Sequence, residues 1–197
     1  VKLTSSRFAA AIGLNPYCSR QALFRQLTGQ ETVPFVAAMQ WGIDHEMDAV
    51  GGAEAFLGMM FNYTGQDQRH FVKKLCGYEF GTTPDGIRER IEVGRLAPKR
   101  VGLEVKCPQK MWDEVPPHYV PQLIGQAKLA DLQEIFFSAW TPDEQKVWLY
   151  SYDPAHWDWM EPLLEQFMEN WEAGTEPKRQ KKPALPELSI EMLTDSN

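Results

Sequence analysis

Two stretches, Thr83-Pro84-Asp85-Gly86-Ile87 and Gly102-Leu103-Glu104-Val105-Lys106-Cys107-Pro108, decide how the middle of this 197-residue chain is read. Glu104 and Lys106 are two apart, so on a strand they share one face, while Leu103 and Val105 alternate with them toward a core. Asp85 stands at a strand entry, with proline before it and glycine after. A Glu-x-Lys pair alone also fits a cross-strand ion pair on an exposed face. A hairpin running from Asp85 to Glu104 weakens that reading, because it brings three charged groups to one point. The grouping suits phosphodiester hydrolysis, which needs a neutralised phosphate and a hydroxide near neutral pH. Hard divalent cations supply both, and Mg²⁺ prefers carboxylate oxygens plus waters. Asp85 and Glu104 would hold the ion, with the Val105 carbonyl between them. Lys106 would stabilise developing charge, or orient or deprotonate the attacking water.

Outward from these residues, Arg69 to Thr83, Gly86 to Val93 and Val101 to Cys107 read as strands, with a turn over Gly94 to Lys99. Upstream the pattern is helical. Ser5 or Ser6 is a candidate N-cap before Phe8 to Ile12, and Gly13-Leu-Asn-Pro-Tyr17 stops that helix. Ser19 to Leu27 reads as a second helix. Phe35 to Leu57 is a long third one, with Met39, Ile43, Met47 and Val50 near helical spacing. Downstream, a helix spans roughly Tyr119 to Leu132. Strands at Glu134 to Thr141 and Lys146 to Tyr152 flank a turn at Pro142-Asp143-Glu144, and Asp158 to Ala173 is an amphipathic helix stopped by Gly174. The order implies an α/β or α+β sheet flanked by helices, one domain over residues 1–177. The basic, Pro-rich tail, 178–197, is expected to be poorly ordered.

Composition narrows the function classes. Apolar residues make up 43% of the chain and charged residues 24%, an ordinary globular balance. No apolar run reaches the ~20 residues of a membrane span, no secretory signal opens the chain, and a cytoplasmic location is expected. The three cysteines and four histidines make a disulfide framework or a Cys- or His-rich metal centre improbable. The net charge is −7, but Arg69 to Lys110 holds ten Lys/Arg against five Asp/Glu, and Met111 to Pro177 holds two against thirteen. A basic middle segment could face a polyanion. Equally, Arg88, Arg90, Arg95, Lys99 and Arg100 could be the solvated edge of a hairpin. A second basic cluster follows at Lys178, Arg179, Lys181 and Lys182.

Glu46 is the third acidic candidate. Gly42 and Ala49 lie on its helical face, and small neighbours would let that helix approach the sheet. A solvated helix glutamate is the plainer reading of the residue taken alone. Tyr119, Gln122 and Gln126 form a polar stripe on an otherwise apolar helix. Gln122 could bond a water or a phosphate, and Gln126 could be a packed amide. His45 and His118 read as surface or packing residues, Cys107 as a buried strand residue, and Trp157, Trp159 and Trp171 as core or subunit contacts.

The ordered set Leu3-Thr-Ser-Ser6, Gly13-Leu-Asn-Pro-Tyr17, Trp41-Gly42 with Glu46, Pro84-Asp85-Gly86, Leu103-Glu-Val-Lys-Cys-Pro108, and Tyr119 with Gln122 resembles the lambda-exonuclease or YqaJ-type viral recombinase family of alkaline exonucleases. The resemblance implies a restriction-endonuclease-like α/β core, a central mixed β-sheet flanked by helices. It implies a Mg²⁺-dependent 5′→3′ exonuclease on double-stranded DNA ends, leaving a 3′ single strand for an annealing recombinase in phage-type recombination. By matching position, Glu46, Asp85 and Glu104 take the metal-binding roles, Lys106 and Gln122 the catalytic ones, and Tyr119 lines the site. Two Mg²⁺ ions, replaceable by Mn²⁺, would be bridged by Asp85, with Glu104 completing one site and Glu46 the other. Ser6 and Thr83 match hydroxyls of the pocket for the terminal 5′-phosphate. An arginine of that pocket lies upstream of Val1 in the family, and native residues before Val1 are expected. Lambda-type members form trimeric rings around DNA, so a homotrimer is implied. The alternatives are an endonuclease of the same superfamily and a catalytically silent DNA-end-binding scaffold.

Overall fold

The computed structural model describes residues 2–90 and 99–194. The expected turn at Gly94 to Lys99 lies outside them except for Lys99, as do Arg95 and the side chain of Arg90. The chain opens with β1 (Lys2–Thr4), a single 3₁₀ turn (Ser5–Arg7) and the short α1 (Phe8–Ala11), then α2 (Arg20–Leu27) and α3 (Ala37–Leu57). A hairpin follows, β2 (Phe71–Leu75) and β3 (Tyr78–Thr82), then β4 (Gly86–Arg90) and β5 (Lys99–Lys106). The chain continues through α4 (Val120–Ala130), β6 (Glu134–Thr141), β7 (Glu144–Ser151), α5 (Pro154–Glu172) and β8 (Ser189–Leu193).

Two mixed sheets result. One has the order β1-β3-β2 and the other β4-β5-β6-β7-β8, with β1/β3 and β5/β6 parallel and every other pairing antiparallel. The expected α/β architecture is therefore present. The stretch from Arg69 to Thr83 folds as two strands. Cys76 and Gly77 both take positive φ (43° and 88°), the conformation a two-residue hairpin turn demands.

The five-stranded sheet buries both faces. Val101, Leu103 and Val105 of β5 pack with Ala49, Val50 and Ala53 of α3 in one core cluster. The opposite face, with α1, α4, α5 and the small sheet, forms the larger cluster around Phe8, Phe80, Phe137 and Trp157. The alternation of β5 thus sends its apolar side chains to α3 and its polar ones toward α4.

Several expectations change. Neither Ser5 nor Ser6 caps a helix: Ser5 is buried and its hydroxyl bonds that of Thr82 at 2.7 Å. The periodic Met39, Ile43 and Met47 are exposed, because only the second half of α3 reaches the sheet. Gly42 is not what admits that helix. Among the described residues a Cβ there would meet nothing within 4 Å, whereas one on Gly52 would run into Gln145 and Trp140. Cys107 is only half-buried. The tail returns to the sheet: β8 pairs with β7 from Val147↔Leu193 to Ser151↔Ser189, and Leu185, Leu188 and Ile190 pack on the main core.

Candidate active site

Antiparallel pairing of β4 with β5 sets Gly86 opposite Leu103. Asp85, one step earlier, donates its N–H to the Leu103 carbonyl at 3.0 Å. Its side chain is received in turn: the Val105 N–H donates to Asp85 Oδ2 at 2.8 Å. The turn before β4 and the end of β5 are thus locked together through two backbone groups and one carboxylate. Val105 meets the site here through its N–H.

Glu104 is 2% exposed, and three donors converge on it. Lys106 Nζ and Gln122 Nε2, at 2.5 and 2.7 Å, donate to Oε1, and Gln126 Nε2 donates to Oε2. Gln122 and Gln126 are one helical turn apart on α4 and so reach the same carboxylate side by side. A buried carboxylate needs this: an unpaired one would cost several kcal/mol or take up a proton. Gln126 is fully buried, and its own carbonyl oxygen has no hydrogen-bond partner among the described residues. Its amide faces Glu104 although the sequence reads equally well as a packed residue. Lys106 also lies 5.2 Å from the Tyr119 ring centroid, a cation–π contact that fixes its stem.

Glu46 reaches the same place from α3. Gln68 Nε2 donates to Glu46 Oε1 at 2.9 Å and to Asp85 Oδ1 at 3.1 Å, joining helix and sheet. Nothing in the sequence around Gln68 marks it. It sits in a run of exposed polar residues, and only the fold brings it to the acids.

The electrostatics follow from three acids gathered around one amine. Burial, then the nearby Glu104, push the Asp85 carboxyl well above the usual carboxylate range, against the pull of Lys106 and the Val105 N–H. Burial and Glu104 also raise Glu46. Burial pulls the Lys106 ammonium down, but Glu104 and Asp85 outweigh it and hold the amine above its ordinary value. Lys106 is therefore a cation in this setting, a donor and charge stabiliser. Burial raises the Tyr119 phenol, so it stays neutral.

The donor set suits a hard cation. Glu46 and Asp85 share the Gln68 amide and Glu104 holds the neighbouring Lys106, and the excess of acids over the one amine favours a positive guest. Among the described residues no three Asp, Glu, His or Cys side chains close around one point. Magnesium does not require that, since it keeps several waters and takes one or two carboxylates.

The hydroxyls expected at a phosphate pocket leave the small sheet together. β1 and β3 run parallel with Thr4 opposite Gly81, so Ser6 and Thr83 emerge from the same end. The Thr83 hydroxyl bonds His70 Nδ1 at 2.8 Å, and the other ring nitrogen meets the Lys2 ammonium. Burial and Lys2 lower the His70 imidazole, which keeps it neutral. Neither Lys2 nor His70 stands out in sequence. His45 packs against Trp41 and Trp140, and His118 against Tyr119.

A mixed sheet with helices on both faces, carrying two acids and a lysine at one strand end, is an α/β fold. The pattern of the YqaJ-like viral recombinase domain matches residues 1–133, and the chain belongs to that family. Similar solved structures include an alkaline exonuclease, LHK-Exo, from Laribacter hongkongensis, at 24% identity and a TM-score of 0.64 over 88% of this chain and 89% of that one. The same enzyme in complex with dAMP gives 23% and 0.65 over the same shares. A phage related exonuclease from Haemophilus somnus 129PT gives 12% and 0.62, covering 88% of this chain and 94% of that one. No curated protein matches the chain by sequence.

Proposed function

We propose that this chain is a Mg²⁺-dependent 5′→3′ exonuclease on double-stranded DNA, working in recombination. It is a phosphodiester hydrolase, and the observation that carries this reading is the convergence of Glu46, Asp85, Glu104, Lys106 and Gln122 from four separate elements. A catalytically silent scaffold has no use for three costly acids around a half-buried amine. The cofactor, two Mg²⁺ ions held by Glu46, Asp85 and Glu104 with the Val105 carbonyl, would neutralise the phosphate and lower the pKa of bound water. Lys106 holds its proton and presents positive charge to the developing phosphorane oxygens. Gln122 keeps Glu104 oriented and offers an amide to water or phosphate. Tyr119 walls the site and fixes Lys106.

Ser6 and Thr83 take the terminal 5′-phosphate. Lys2, tied to Thr83 through His70, supplies a cation there. Backbone phosphates beyond the cleft meet Lys178, Arg179, Lys181 and Lys182, which are exposed. Lys182 helps lower the His118 imidazole, after burial and Lys106. The basic middle segment is less available: Lys99 pairs with Glu134 at 2.8 Å and Arg100 with Glu89 at 2.9 Å. The product is a 3′ single strand, the substrate of a strand-annealing recombinase. A homotrimeric ring would keep the enzyme on its duplex. Three free cysteines suit a reducing cytoplasm, and among the described residues no helix is long and apolar enough to cross a membrane.

The test uses linear duplexes with and without a 5′-phosphate, beside a covalently closed circle. Mg²⁺-dependent loss of the 5′-ended strand is expected, with the circle left intact. Lys106→Ala should lower the rate by about 10²–10³, the scale for losing one charge-stabilising donor, and Asp85→Ala should abolish it. Full activity in both variants would end the assignment, and cutting of the circle would favour the endonuclease.

A further inference from the structure

Gln68 lies just past the 3₁₀ turn Gly65–Asp67, in the loop that leads from α3 to β2. Its single amide nitrogen stands between Glu46 Oε1 at 2.9 Å and Asp85 Oδ1 at 3.1 Å. That is the only hydrogen bond of the Glu46 side chain among the described residues, and the other Asp85 oxygen is taken by the Val105 N–H. The orientation of the amide follows from chemistry: turned over, its carbonyl oxygen would face two carboxylates. The N–H edge of the amide thus carries the partial positive charge that keeps two like-charged groups close.

A divalent ion shared by these oxygens would sit about 2.0–2.1 Å from each. A nitrogen within hydrogen-bond reach of the same two oxygens occupies lone pairs that an ion placed between them would need, so amide and ion compete for those oxygens. We propose that Gln68 is a displaceable stand-in for a cation: its amide holds Glu46 and Asp85 in register and swings away when the ion arrives. The inference rests on the reading of Glu46 and Asp85 as metal ligands. It adds that ion binding is a competition with a group of the chain itself, so the wild-type affinity is set below what the carboxylates alone would give.

The experiment uses the full chain, stripped with EDTA and dialysed, with Mn²⁺ as the probe in isothermal titration and with thermal melting in chelator. Gln68→Leu and Gln68→Ala, at a half-buried loop position, remove the competitor. Both should bind Mn²⁺ more tightly, by about tenfold, the size expected for losing amide bonds to charged acceptors. Both should also melt lower than wild type in chelator, because the bridge from Gln68 to Glu46 and Asp85 is lost. Weaker binding would mean that the Gln68 carbonyl is a ligand, and unchanged binding or unchanged melting would mean that the amide is incidental. Each of these results overturns the proposal. Asp85→Asn separates the two layers. If wild type binds Mn²⁺ and Asp85→Asn does not, the metal site stands whatever Gln68 does. If wild type gives no Asp85-dependent binding, the metal reading falls, and this inference with it.

Discussion

Gly125→Ala tests how α4 is held against the site. This helix carries Gln122 and Gln126 to Glu104, and it packs on the start of the chain through a glycine. A Cβ at Gly125 would lie 2.5 and 2.8 Å from Phe8 Cε2 and Cδ2 and 2.9 Å from Ser5 Cβ. Those neighbours cannot give easily. Phe8 is fully buried, its ring edge-on to Phe80 at 5.6 Å and against Trp157 at 6.3 Å, and Ser5 is tied to Thr82. Inserting a methyl into such packing costs about 1–3 kcal/mol. Alanine regains about 0.5–1 kcal/mol of helix propensity. A net loss of about 1–2 kcal/mol is expected, which lowers Tm by roughly 2–8 °C in a chain of this size. Gly42→Ala is the control. A Cβ there meets nothing within 4 Å among the described residues, so only the propensity gain remains and Tm should rise by about 1–4 °C. Calorimetry or far-UV circular dichroism melts on both proteins decide the matter. Gly125→Ala melting as high as Gly42→Ala would refute the claim that a close approach of α4 to Phe8 and Ser5 organises the site.

Asp85 predicts a pH dependence with a definite sign. Its carboxyl is raised in the fold, first by burial and then by Glu104, so its contribution to stability is complete below the unfolded value of about 3.9 and is lost as pH rises through the folded value. In chelator, Asp85→Asn should therefore melt above wild type at pH 8, with the gap closing toward acid; a gap that widens toward acid would reverse the assignment. Truncation after Pro183 removes β8 and the half-buried Leu185, Leu188 and Ile190. At about 1 kcal/mol for each side chain, the loss is about 3 kcal/mol, and urea titration should show it. The uncovered β7 edge should also promote self-association, visible by light scattering.

The parts of the site legible in the sequence are those fixed by short-range geometry. The period of two along β5 puts Glu104 and Lys106 on one face, and the 3.6-residue period of α4 stacks Gln122 on Gln126. A Pro-Asp-Gly entry places Asp85 at the start of β4. The misread parts share a different cause. Met39, Ile43 and Met47 have helical spacing but no sheet beneath them, because periodicity does not say how far a neighbouring element extends. Ser5 has the chemistry of a helix cap, yet it is buried against Thr82, which lies far away in the chain. The tail is polar and proline-rich, and its few apolar residues gain order only because β7 offers an open edge.

Covalent geometry and side-chain chemistry, then, determine which groups of one element point the same way, and the sequence alone carries that information for β5, α4 and the turn before β4. The meeting of those elements is another matter. Glu46 arrives from a helix whose distance from the sheet depends on the close packing of Ala49, Gly52 and Ala53. Gln68 arrives from a loop with no pattern of its own, His70 reaches Thr83 from just before β2, and Lys2 of β1 reaches His70 in turn. Such convergence is the outcome of burying two core clusters at once. Burial is non-directional along the chain, so no local run of residues records where it brings distant side chains together.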